Sequence, residues 1–237
     1  MMEIRVGCCG FPKARNEYYK SFKVVEVQQT FYQPPALKTV ERWRAEAPAD
    51  FEFTLKVWQL VTHESKSPTY RRLRLSWPEK RLSQCGSFKP TEEVKWAWEI
   101  TREMARALKA TLVVFQTPAS FEPSLENKKN LRKFFKEIDR KDFLFVWESR
   151  GAWKGEEVGE LCQDLNLIHG IDPFKVDPRS GKIRYFRIHG VTGYRYRFNE
   201  KDLETLREKC QGISYCLFNN VSMWTDARAF QKMINKE

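Results

Sequence analysis

Several polar side chains close apolar runs that otherwise hold valine, isoleucine, leucine and aromatic residues: Glu26, Gln28, Lys56, Gln116, Glu148, Asp172, Arg187, His189 and Asn219. Glu26, Glu148 and Asp172 are of the type that works as general acid or base or as ligand to a divalent metal. His189, with His63 in the loop Val61-Thr62-His63, can exchange a proton near neutral pH or ligate a metal. Lys56, Arg150 and Arg187, helped by Gln28, Gln116 and Asn219, can hold a phosphate. The identity of any metal is open, because residue types alone support one and no two of these donors stand at close ligand spacing.

The elements that must position these groups follow from period and punctuation. Strands are expected over residues 4–8, 24–28, 51–57, 112–116, 143–148, 167–172, 185–189 and 215–219, from β-branched and aromatic content. Between them come a short helical turn at 18–22 and helices at 37–46, 92–108 behind a Thr91 cap, 125–138 behind Ser124, 156–165, 200–209 and 227–236. Residues 62–90 show no clear period. Eight strands strictly alternating with helical segments predict α/β architecture: one domain over 1–237, a closed (β/α)8 TIM-type barrel with a basic insertion after strand three. Neither a GxGxxG nor a GxxxxGK[ST] motif follows any strand, which removes the main support for a nucleotide-binding open sheet.

In a parallel barrel one strand face packs on the helices and the other points inward. Phe51, Phe53, Leu55 and Val57 therefore go outward and Glu52, Thr54 and Lys56 inward. The same rule sends Glu26, Gln28, Glu148, Tyr185, Arg187 and His189 inside, and places His169 on the outer face. An interior this polar differs from the usual valine, isoleucine and leucine layers and marks a pocket at the C-terminal strand ends, where barrels carry their sites. The inert reading of the same residues is a set of ion pairs: Glu26 with Lys56 on the next strand or Arg5 on the previous one, and Glu148 with Arg187.

With 42 Lys+Arg against 31 Asp+Glu, a net charge of +11 and a pI near 9.4, the chain should attract polyanions. Residues 66–90 carry Lys66, Arg71, Arg72, Arg74, Lys80, Arg81 and Lys89 against Glu79 alone, with Tyr70, Trp77 and Phe88 between them. Tyr194-Arg195-Tyr196-Arg197-Phe198 alternates ring and guanidinium just after His189. Arginine for phosphates beside rings for base stacking is how a single strand of DNA or RNA is held without reading its sequence. The six cysteines form no CxxC pair and no zinc-finger spacing, fitting a reducing, cytoplasmic setting; Cys210 and Cys216 can meet across a helix-to-strand turn. No apolar run approaches membrane-spanning length.

The chain resembles the YecE-like proteins, grouped as domain of unknown function seventy-two. The likeness runs along nearly the whole chain: Gly7-Cys8-Cys9-Gly10, Val25-Glu26-Val27-Gln28-Gln29-Thr30-Phe31-Tyr32, Phe51-Glu52-Phe53-Thr54-Leu55-Lys56, Thr62-His63, Gln116-Thr117-Pro118-Ala119-Ser120-Phe121, Glu148-Ser149-Arg150, Ile188-His189-Gly190 and Phe218-Asn219-Asn220. Gln28 stands where that family usually has asparagine, and Cys8-Cys9 replace small hydroxyl residues. The resemblance implies a TIM-barrel-like fold and marks the same strand ends, without bringing an activity. A looser likeness to barrel endonucleases acting on abasic DNA rests on fold and charge, and their dense metal-binding histidines have no counterpart among the three histidines here.

Three functional expectations follow. The first is a hydrolase of the nuclease or phosphodiesterase type, with Glu26, Glu148, Asp172, His63 and His189 as catalytic groups. The second is an enzyme of a small phosphorylated or sugar-like substrate in the same pocket. The third is a non-catalytic nucleic-acid-binding protein whose pocket captures a strand end or a flipped base.

Overall fold

Each β-branched run becomes one parallel strand of a closed sheet, numbered in chain order around the barrel, with β8 returning to β1. The computed structural model describes residues 2–140, 143–177 and 182–235. The strands are β1 (Glu3–Cys9), β2 (Val24–Val27), β3 (Glu52–Lys56), β4 (Leu112–Gln116), β5 (Leu144–Glu148), β6 (Ile168–Ile171), β7 (Ile183–Ile188) and β8 (Ile213–Phe218). Between them lie α1 (Arg15–Ser21), α2 (Gln29–Tyr32), α3 (Leu37–Glu46), α4 (Gln59–Thr62), α5 (Glu79–Leu82), α6 (Glu92–Leu108), α7 (Leu125–Glu137), α8 (Gly155–Asp164) and α9 (Glu200–Glu208), and α10 (Met223–Ile234) follows β8.

Caps start the longer helices where side-chain oxygens can take an orphan backbone N–H. Ser124 accepts from the Asn127 amide at 3.1 Å, and Asn199 and Asp202 form a reciprocal capping box. The expected alternation fails at one connection. Among the described residues no helix lies between β6 and β7, where Pro173 opposes helical backbone at the residue before it. The basic insertion after β3 holds only short pieces, the 3-10 turn Pro68–Arg72 and α5, and rejoins the barrel when the Phe88 amide donates to the Val61 carbonyl at 3.0 Å. Phe88 is buried among Phe121, Phe134 and Phe135, so this ring anchors the insertion and is closed to a nucleic-acid base.

Inward and outward faces separate two cores. Val25, Val27, Phe53, Leu55, Phe115, Phe145, Trp147, Phe186 and Ile188 pack against the helices, while Cys9, Val24, Leu112, Val114, Val146, Tyr185, Tyr215 and Leu217 fill the barrel itself. Below that inner layer Arg5 donates to Glu52 at 2.6 Å, and Tyr215 donates to the other Glu52 oxygen at 2.7 Å. Arg5 therefore serves the N-terminal end of the barrel. It cannot reach Glu26, which is level with Cys9 two interior layers higher. Cys210 and Cys216 do meet, their thiol sulfurs 3.6 Å apart, and all six cysteines are free. No helix among the described residues is long and apolar enough to cross a membrane.

Gly7 sets how tightly β1 and β2 can approach. A Cβ at this position would lie 2.2 Å from the Val24 carbonyl oxygen, a backbone atom that cannot swing aside. Gly7→Ala is expected to cost about 1–3 kcal/mol or more through overpacking, read as a lower urea midpoint with an unchanged slope.

Candidate functional site

Closure of the sheet brings the ends of all the strands to one mouth, and the register decides which polar groups meet there. Glu26 on β2 is level with Thr54, not with Lys56, so the expected Glu26–Lys56 pair does not form. Arg187 instead reaches Glu26 across the interior. Its Nε donates to both carboxylate oxygens at 3.1 and 3.0 Å and its Nη2 to Oε1 at 2.8 Å. Its Nη1 donates to Glu148 Oε2, so the expected Glu148–Arg187 pair is present as one arm of a bridge joining two carboxylates. Tyr185 donates to Glu26 Oε2 at 2.9 Å, and Gln28 Nε2 donates to Oε1. Gln28 lies just past β2, in helical backbone at the start of α2, which is how its amide folds back onto Glu26.

Glu26 and Arg187 are 0% and 1% exposed, so neither offers a face to solvent. Burial alone would push the Glu148 carboxyl up. Arg187, with Arg150 beside it, overcomes that and holds the carboxyl well below its ordinary range. Burial would likewise lower the Arg187 guanidinium, and Glu148 and Glu26 together hold it well above.

Arg150 is the mouth's more open cation, with its side chain 36% exposed. It donates through Nε and Nη2 to Glu148 Oε1 at 3.2 and 2.9 Å, and through Nη2 to His189 Nε2 at 3.0 Å. Because a guanidinium can only donate, His189 Nε2 is the acceptor in this contact. Nδ1 is 3.3 Å from the Asn219 side-chain nitrogen Nδ2. Asp172 holds backbone: its Oδ2 accepts from the His189 amide at 3.2 Å and its Oδ1 from the Phe174 amide at 3.1 Å. These contacts fix the turn that carries His189 to the mouth.

Lys56 ends β3 with its ammonium nitrogen 2.7 Å from Gln116 Oε1 and 3.4 Å from the centre of the Phe31 ring. Burial, then Arg187, pull its pKa down to about 7 against the opposing pull of Glu148 and Glu26. His63 sits behind it, edge-on to Phe31 and 2.8 Å through Nδ1 from the Thr62 hydroxyl. Burial, with Lys56 and Arg150 nearby, drops its pKa to about 3, so the ring is neutral. Sequence reasoning missed Phe31, the ring under the lysine. Its signal was the apolar Phe31 directly after Thr30, whose hydroxyl donates to the Lys56 carbonyl at 2.7 Å.

The basic segments flank this mouth on the loops after β2, β3 and β7. Arg71, Arg72 and Arg74 are exposed, Arg72 lies 3.7 Å over the Tyr32 ring, and the three line a cleft of about 660 Å³ with Tyr32 and Gln33. Trp77 is half-buried against Trp96 and covered by Arg81 at 3.7 Å. Tyr194 is 52% exposed and meets His189 edge-on at 5.3 Å, with Arg195 and Arg197 exposed beside it. Tyr196 is tied down by donating to Asp202 at 2.7 Å.

These donors do not fit a divalent metal. A guanidinium stands between the two inner carboxylates, Asp172 is spent on backbone amides, and no group of three or more His, Cys, Asp or Glu among the described residues can hold an ion.

Two outcomes are expected. Arg187→Met leaves Glu26 and Glu148 buried with their shared cation gone and should cost about 3–5 kcal/mol in equilibrium unfolding. Between pH 6.5 and about 3 the unfolded chain protonates His63 and the folded chain does not, so stability falls as pH drops through that window. Glu148 adds its own loss below its ordinary value of 4.5. Urea titrations of His63→Gln should lose the slope above pH 4.5 and keep, below it, only the share that Glu148 contributes.

Comparison with known proteins agrees with this architecture. The chain is similar to a DUF72 family protein of Enterococcus faecalis V583, at 21% identity over 99% of this chain and 98% of that one, with a TM-score of 0.76. It is also similar to endonuclease IV of Thermus thermophilus, at 10% identity over the whole of both chains with a TM-score of 0.56. A third likeness is to a xylose isomerase domain containing protein of Salmonella typhimurium LT2, at 13% identity over 95% of this chain and 91% of that one, with a TM-score of 0.58. At these identities the likenesses carry the fold alone. No curated protein matches the sequence. The profile described as protein of unknown function DUF72 matches residues 12–237, and this chain, a closed eight-stranded parallel barrel, belongs to the DUF72 family.

Proposed function

We propose that the chain is an enzyme acting at the C-terminal mouth of its barrel on the phosphodiester backbone of a nucleic acid strand. The observation that carries this reading is Arg150, a guanidinium anchored by Glu148 and His189 yet open over a third of its surface at the mouth. A cation fixed on one side and free on the other is suited to grip a phosphate oxygen without losing its orientation. Exposed Tyr194, Arg195 and Arg197 on one flank and Arg71, Arg72 and Arg74 on another supply ring and charge for the rest of a strand. Within this reading Arg150, Lys56, Gln116, His189 and Asn219 meet the substrate, while Glu26, Arg187 and Asp172 position them. Cleavage by a hydrolase is the reaction class, and six free thiols suit a cytoplasmic setting.

A second reading, a small phosphorylated or sugar-like substrate, is favoured by one observation. A cavity of about 360 Å³ lined by Glu148, Arg150, Asp172, Lys175 and His189 is of a size for a single small ligand.

Fluorescence anisotropy with a short labelled single strand, DNA or RNA, at increasing salt separates the two. Binding should weaken log-linearly with salt, by about 0.7 per phosphate neutralised, and the triple variant of Arg71, Arg72 and Arg74 to alanine should flatten that slope by about 2. Absence of binding at low salt would sink the nucleic-acid reading.

A further inference from the structure

We infer that Lys56 is an amine nucleophile, and that the ligand of this mouth carries a phosphate together with a reactive carbonyl: a sugar phosphate in its open-chain aldehyde form, free or within a strand position that lacks its base. The inference rests on the reading of the mouth as an anion-binding catalytic site and names the residue that does the covalent work there.

Lysine is rarely buried without a counter-charge, since an unpaired ammonium in a poorly polarisable interior is expensive. Lys56 is 6% exposed, and no carboxylate among the described residues lies within ion-pairing distance of it. Charged groups face it from every side of the barrel. Arg187 on β7 and Arg150 after β5 repel its charge; Glu148 on β5 and Glu26 on β2 attract it, but both are already paired with those arginines. His63, after β3, is neutral. The amine is therefore available unprotonated near neutral pH, unlike an ordinary surface lysine.

Its neighbours suit an amine better than an ammonium. Gln116 Nε2 donates to the Thr117 carbonyl at 2.6 Å, which turns Oε1 toward Lys56 as an acceptor for one N–H. The Phe31 face receives another. A neutral amine has only two N–H groups, so both are satisfied, and no donor among the described residues occupies the lone pair. The Thr30 hydroxyl on the Lys56 carbonyl fixes the base of the side chain. Arg150, partly open at the same mouth and near enough to act on the Lys56 charge, would hold the phosphate while the carbonyl carbon meets Nζ.

The covalent step balances without an added oxidant or reductant. The Nζ lone pair adds to the carbonyl carbon, and one amine proton moves to the former carbonyl oxygen. That hydroxyl then leaves as water with the second amine proton, forming C=N.

The test uses the full chain incubated with sodium cyanoborohydride, which reduces C=N to a stable secondary amine, followed by peptide mass spectrometry. One arm contains D-ribose 5-phosphate, the other a single strand with one base-free deoxyribose. Lys56 should be the dominant modified lysine, and labelling should rise through about pH 7. Arg150→Ala should reduce labelling by ribose 5-phosphate more than labelling by unphosphorylated ribose, and an equal loss for both removes Arg150 as the phosphate-holding group. The Lys56 adduct is necessarily lost in Lys56→Arg and Lys56→Met; total labelling should fall with it, in whichever of the two keeps the wild-type circular dichroism spectrum. Labelling spread over surface lysines with Lys56 spared overturns the inference, as does total labelling unchanged in a folded variant. If ribose 5-phosphate labels Lys56 and the strand does not, the amine assignment stands and the nucleic-acid reading of the mouth falls. If neither labels, the inference falls, and the salt titration alone decides the nucleic-acid reading.

Discussion

One guanidinium governs the interior of this barrel. Arg187 spans Glu26 and Glu148, and Arg150 closes the other side of Glu148, so two carboxylates and two cations neutralise one another inside a small volume. Burying three of these charges is tolerable only because nearly every lone pair and N–H among them finds a partner, including Tyr185 and Gln28 on Glu26. Their mutual neutrality has an effect one strand away. No negative charge is left over to pair with Lys56, so burial, helped by Arg187, keeps its amine from holding a proton as other lysines do. The inert ion-pair network and the reactive pocket weighed from the sequence are thus not rivals. In the proposed reading the first produces the second.

The fold was largely legible in the chain because side-chain alternation in a parallel barrel is a local property. The outward set Phe53, Leu55 and Val57 and the inward set Thr54 and Lys56 could be sorted residue by residue, and α3 (Leu37–Glu46), α6 (Glu92–Leu108) and β4 (Leu112–Gln116) have the bounds that period and caps imply. Register is not local. Whether Glu26 is level with Thr54 or with Lys56 depends on where two strands stop sliding, and a shift of two residues keeps every side chain on its proper face while changing all partners. This is why the polar residues of the mouth could be collected from the sequence, whereas Arg5 and Lys56 were assigned to Glu26 and Arg187 was not. Gln28 illustrates the same point at a strand end, since one residue of helical backbone turns it back onto its neighbour.

Charge composition also needed the fold before it meant anything. Phe88 and Arg72 belong to one basic, aromatic stretch, yet the ring plugs the space between β4 and α7 and the guanidinium lies open on Tyr32. The N-terminal end of the barrel carries its own arginine, glutamate and tyrosine, bonded to one another much as those above are. What distinguishes the upper end is a set of incompletely used groups: a half-open Arg150, an exposed Tyr194 and a lysine without a counter-ion.

The bond between Arg187 and Glu26 joins residues 161 positions apart in the chain. A carboxylate on the second strand therefore has no interior counter-charge until the seventh strand has been made and docked. During synthesis the first half of the barrel must keep Glu26 in water, and a fragment ending before β7 would have to bury it alone. Charge pairing of the interior is thus completed only by a long-range closure. Such a topology pays its loop entropy before its reward and folds slowly as one cooperative unit.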